Sequence, residues 1–248
     1  MDGIENAQTK LAWAQAHLKL LDLEIEKFLQ SGPYTLTAGD DLEHERYVLR
    51  FTLLEVPVHI SLIAGDAIYN MRSSLDQLVW SLARLKGIPE RTAFPILDGP
   101  VLTRDKLRSF NNSLKDVPQG AICEIAALQP HHRGADYKKH PLWRLNEICN
   151  LDKHRRIPAN GSASVLHFPN LVPGEEKTVL KIDVTETGYI ISAPIALKHK
   201  LELHDKMQFA IHFGGDISGI SESHGSLVNI YKFIAESVLP RFEGFFPS

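Results

Sequence analysis

The stretch Asn150-Leu151-Asp152-Lys153-His154-Arg155-Arg156-Ile157-Pro158-Ala159-Asn160-Gly161 divides the chain. Before it the sequence reads mainly as helices, and after it first as strands. Leu142, Leu145 and Cys149 keep helical spacing up to His154, and 158–161 is a run of breakers. Upstream, Leu11, Ala14, Leu18, Leu21, Ile25 and Phe28 predict a helix over 5–30, stopped by Ser31-Gly32-Pro33. Ile68, Met71, Leu75, Leu78, Val79 and Leu82 predict the longest helix, over 59–85. Two shorter helices are expected over 103–117, capped by Thr103, and over 118–128, with Pro118 in the first turn. Between the first two helices, Tyr47, Leu49, Phe51 and Leu53 alternate with more polar neighbours. They predict a β-hairpin at about 34–54 that turns at 38–41. Residues 92–96 form a short extended piece, and 129–141 a polar loop. Downstream, strands are expected over 164–168, 178–184, 189–196 and 206–213, then an amphipathic helix over 223–242.

The expected fold class is α+β: a helical bundle with an inserted β-hairpin, followed by a small antiparallel sheet and a C-terminal helix. The expected division is 1–157 and 158–248, unless the two pack as one domain. At 248 residues, with 44% hydrophobic and 23% charged, the chain can build a real core, so disorder is excluded as the default. Met1-Asp2-Gly3-Ile4-Glu5-Asn6 lacks a basic and apolar leader, and no apolar run approaches the roughly 20 residues of a membrane span. A cytoplasmic protein without membrane contact is expected. Cys123 and Cys149 sit among helical apolar residues and read as reduced thiols.

A net charge of −3 argues against a protein that coats nucleic acid. Charge is uneven, however. Between His131 and Arg156 stand Arg133, Lys138, Lys139, Arg144, Lys153, Arg155 and Arg156, against only Asp136, Glu147 and Asp152. A basic island in an acidic chain points to a local anion site or to a solvated loop.

Two helices carry unusual polar sets. In 65–76, Arg72 and Asp76 fall one turn apart beside an apolar stripe, and Asp66 and Asn70 one turn apart on a more polar side. In 142–154, Asn146, Asn150 and Lys153 share an edge, with His154 one turn beyond Asn150. An Asn inside a helix costs a few tenths of a kcal/mol relative to Ala, roughly, so two on one edge suggest fixed amides used as hydrogen bonders. If these helices are antiparallel neighbours, Asn70, Arg72 and Asp76 can face Asn146, Asn150, Asp152, Lys153, His154 and Arg155. That cluster could hold a phosphate-containing ligand or RNA through Arg and Lys, with His154 to exchange a proton. Equally, it could be an ion-pair lattice tying two helices together.

The ordered set Gly65-Asp66-x-x-x-Asn70-x-Arg72-Ser73-x-Leu75-Asp76, Phe94-Pro95-Ile96, Leu128-Gln129-Pro130 and Asn150-x-Asp152-Lys153-His154-Arg155 resembles a family of uncharacterised bacterial proteins. The resemblance covers about 60–157 and implies no activity. A looser similarity is to the HEPN superfamily of helical bundles, many of them RNases of toxin or defence systems, whose signature is Arg, four to six residues, then His. Arg133, six residues, His140 is the one match. It makes Arg133 and His140 catalytic candidates beside His154. Against an enzyme stands an anion-binding protein or a structural and interaction module. His131, His132, Asp136, His140 and His154 lie close in sequence, but no metal-ligand spacing organises them. No metal and no cofactor are expected; a homodimer is a candidate assembly.

Overall fold

Helix α2 (Val58–Arg84) shows why the helical part forms. Ile60, Ala64, Ile68, Met71, Leu75, Leu78, Val79 and Leu82 along it are completely buried. A helix apolar around so much of its circumference needs neighbours on several sides. The computed structural model describes residues 3–89, 92–97, 99, 103–154, 157–165, 180–185, 188–201, 208–215 and 220–247. Within them the chain is α+β and resolves into two compact units. One comprises Met1–Leu23, Val58–Pro158 and Phe213–Ser248; the other comprises Glu24–Pro57 and Ala159–His212.

α1 (Glu5–Gln30), which belongs to the helical unit as far as Leu23, buries Ala7, Leu11, Ala14, Leu18 and Leu21. The Ser74 hydroxyl of α2 donates to the Ala7 carbonyl at 2.7 Å, and Lys10 stands 6.0 Å from the centroid of the Tyr69 ring. Residue numbers therefore rise along α1 as they fall along α2, and the two are antiparallel. Two short helices follow, α3 (Arg104–Ser113) and α4 (Gln119–Ala127). Thr103 caps α3 as expected, accepting from the Lys106 N–H at 3.3 Å. Pro118 takes the cap position of α4 rather than its first turn.

The expected loop at 129–141 is instead wound into tight 3-10 turns over Pro130–Lys139. Gly134 breaks them at φ 54°, a left-handed value that glycine adopts without a Cβ clash. α5 (Pro141–His154) buries Leu142, Leu145, Ile148 and Cys149 and packs on α2. α6 (His224–Lys232) starts in a capping box, with Ser223 accepting from Ser226 N–H and Ser226 Oγ accepting from Ser223 N–H. Its continuation widens to a π turn over Phe233–Val238, then tightens over Leu239–Phe245. Pro240 explains the change of pitch: it has no N–H and its ring crowds the carbonyl one turn back.

The other unit is built on an antiparallel sheet in the order β1-β2-β5-β4. Its strands are β1 (Tyr34–Asp41), β2 (Arg46–Leu53), β4 (Lys181–Thr185) and β5 (Gly188–Pro194). The hairpin exists, but Ala38–Asp41 belong to β1 and the turn falls at 42–45, where Glu45 takes φ 53°. Leu49 and Phe51 are buried, and Leu49 pairs with buried Ile191. Arg46 fastens β5 by donating from Nε to Ser192 Oγ and from Nη2 to Ser192 O, each at 2.9 Å. A second sheet has the order β3-β6-β7, with β3 (Ala159–Val165), β6 (Gln208–Gly215) and β7 (Ile220–Ser223). β3 begins where breakers were read, and β7 was not anticipated.

The compact units depart from the linear division at 157/158. The hairpin joins the later strands, and the terminal helix joins the helical unit. Strand pairing decides this, because β2 finds its partner in β5 far along the chain.

Candidate functional site

Two polar residues of α2, Arg72 and Asp76, act on one short segment. Between α2 and α3 the chain passes through 92–97 without regular structure, as a strap whose Phe94 and Leu97 are buried. Buried backbone needs hydrogen-bond partners. Arg72 and Asp76 supply them at one end. Asp76 Oδ1 accepts from the Phe94 N–H at 2.9 Å, and Arg72 Nη2 donates to the Phe94 carbonyl at 2.7 Å. The two side chains brace each other: Arg72 Nη2 donates to Asp76 Oδ1 at 2.9 Å and Nε to Oδ2 at 3.3 Å. A planar guanidinium with two parallel donors fits this role where a lysine would not. At the other end, buried Gln129 accepts from the Leu97 N–H at 2.7 Å. Its amide also donates to Pro95 O at 3.0 Å and to Ile125 O at 2.9 Å. Three of the four ordered motifs thus form one network around the strap.

That network leaves little for a ligand. Arg72 Nη1 has no partner, but the atom is sealed from solvent, so an anion could reach it only if the strap moved. On either side of Thr92 lie shallow grooves of mixed polar and apolar lining. One, of about 470 Å³, is lined by Thr92, Asp105, Arg108, Ser109 and Asn112. The other, of about 510 Å³, is lined by Asn6, Lys10, Asp76, Gln77, Trp80 and Thr92.

The other predicted site residues fall elsewhere. The Ser61 hydroxyl donates to the Ile157 carbonyl, so the start of α2 meets the end of α5, as antiparallel neighbours do. Arg72 lies eleven residues further along α2, about 16 Å, level with the middle of α5 rather than its Asn150–His154 end. Among the described residues no hydrogen bond or ion pair joins Arg72 or Asp76 to α5. Asn70 donates to the Asp66 carbonyl at 2.8 Å, a local bond within its own helix. Among the described residues Asn146 reaches only Glu147, at 3.5 Å, and Asn150 is exposed. Arg155 and Arg156 lie outside the described residues, as do the side chains of Asp152, Lys153 and His154.

His140 is a structural cap. It is buried, its ring meets Phe233 edge-on at 5.2 Å between centroids, and its Nδ1 accepts from the Leu142 N–H at 3.1 Å. Burial pushes its pKa down to about 4, helped by the Arg133 charge and by His132. Arg133 is exposed and donates to the Lys139 carbonyl at 3.2 Å. A buried, neutral His140 with Nδ1 engaged gives no support to an RNase reading. Part of the basic island is answered locally, with Lys139 paired to Asp136 at 2.8 Å. Among the described residues, no group of three His, Cys, Asp or Glu could hold a metal ion, and no helix is long and apolar enough to cross a membrane.

Sequence reasoning missed two features. Gln129 was quoted within a motif but given no role. Glu222, almost fully buried, accepts from Arg144 Nε at 2.5 Å while its Oε2 has no partner. Nothing in Ile220-Ser221-Glu222-Ser223 signals a buried carboxylate. Set against protein-family models, curated proteins and solved structures, the chain matches none.

Proposed function

We propose that this chain is a non-catalytic interaction module, in which the ordered motif residues form a scaffold rather than a ligand site. The observation that carries the reading is the double pinning of the strap, by Arg72 and Asp76 at Phe94 and by Gln129 at Pro95 and Leu97. The scaffold holds Thr92 as the shared rim of two grooves of mixed lining, a surface against which a partner can dock. The test is Arg72→Ala. Truncation strands the Asp76 carboxylate and the Phe94 carbonyl, at a cost of about 2–3 kcal/mol, or a Tm loss of roughly 4–10 °C. Affinity for inorganic phosphate or short single-stranded RNA, measured by calorimetry, is expected to be negligible in wild type and unchanged in the variant. An unaltered Tm combined with loss of phosphate or RNA binding would overturn the reading.

A further inference from the structure

α1 and α2 share an outer face that is apolar where solvent should favour polar residues. Trp13 is 59% exposed, Leu62 54% and Tyr69 56%, with Leu20 and Val58 also exposed. These form two stripes: Trp13 and Leu20 are seven residues apart on α1, as are Leu62 and Tyr69 on α2, and Val58 precedes Leu62 by one turn. The contacts of Ser74 with Ala7 and of Lys10 with Tyr69 set the stripes side by side and antiparallel. Contiguous apolar patches of this kind mark interaction surfaces.

We propose that this face is the interface of a two-fold dimer of this chain, with α1 of each copy lying on α2 of the other. The charges argue for a second copy and for that arrangement. The α1 side carries Lys10, and the α2 side carries Asp66. A two-fold axis parallel to the helices sets Lys10 beside Asp66 of the second copy. It also seats Trp13 between Leu62 and Tyr69 of that copy and Leu20 against its Val58, each contact occurring twice. Laying α1 on α1 would instead bring lysine to lysine. The exposed apolar stretch from Val58 to Tyr69, with its side chains and those of Trp13 and Leu20, covers a face of about 20 by 25 Å, so two copies remove on the order of 1,000 Å² from water. That is the area at which specific interfaces begin. The proposal does not rest on the scaffold reading, because Arg72, Asp76 and Gln129 are turned to the strap.

Sedimentation velocity on the full chain, from low micromolar to hundreds of micromolar, tests it. Wild type is expected to become dimeric as concentration rises. Leu62→Glu should raise the dissociation constant at least roughly tenfold with unchanged circular dichroism. D66K and K10E should each weaken self-association. An equimolar mixture of those two should recover a dimer, since both crossed contacts then join opposite charges. A wild type that stays monomeric overturns the proposal. So does a dimer indifferent to Leu62→Glu and D66K, or a mixture that associates no better than its components.

Discussion

His140 shows how one side chain's surroundings decide its chemistry. Pro141 opens α5 without an N–H, so the first donor in need of a partner is that of Leu142, and the imidazole Nδ1 answers it. Only the ring lacking a proton on Nδ1 can accept. In the unfolded chain the group titrates near 6.5, and in the fold at about 4. Between those values the unfolded state binds more protons, so stability rises with pH across the window. The contribution is complete above about pH 6.5 and lost as pH falls toward 4, amounting to about 3 kcal/mol at most. His140→Asn keeps a cap acceptor and removes the titration. Urea unfolding across this window is expected to show a flatter pH dependence for the variant; an identical slope would refute the account. Spacing from Arg133 nominated His140 for catalysis. The adjacent Pro141 was the legible clue to a cap, whereas burial against Phe233 is a tertiary fact that no local pattern contains.

At the level of elements, apolar periodicity locates α1 and α2 almost to the residue, because each buries a long continuous stripe. The strap at 92–97 has no period to read. Its course is set by side chains from α2 and from the segment after α4, and those partners are 18 to 34 positions away in sequence. The motif residues were therefore visible, but their joint object was not. The two ends of the strap are pinned separately, which gives a site-resolved prediction. Gln129→Ala should speed amide exchange at Leu97 at least tenfold while Phe94 stays protected by Asp76; Asp76→Ala should do the reverse. A free-energy change of about 1.4 kcal/mol in local opening produces that factor. Equal acceleration at both amides in both variants would mean that the strap opens as one piece, and the picture of two independent pins would fail.

Over the whole molecule, the chain passes between its two compact units several times, and each unit contains segments distant in sequence. A linear reading cannot recover this. Breakers at 158–161 mark a change of pattern but not which strand pairs with which, and the hairpin's allegiance is settled by the β2–β5 pairing. That pairing has a vulnerable point at Gly188. Gly188 opens β5 opposite Thr52, and a Cβ placed there would collide with the Phe51 carbonyl. Backbone cannot yield as the end of a flexible side chain does, so the strands must separate locally. Gly188→Ala is expected to destabilise the sheet by about 1–3 kcal/mol, as overpacking generally does. If the units are separately cooperative, the cost stays in the one that holds the sheet. Native-state hydrogen exchange should then show faster exchange in β2 and β5 while the buried amides of α2 and α5 keep their protection. Uniform loss of protection through α2 would show instead that the units unfold together, and that the division describes packing without marking a thermodynamic boundary.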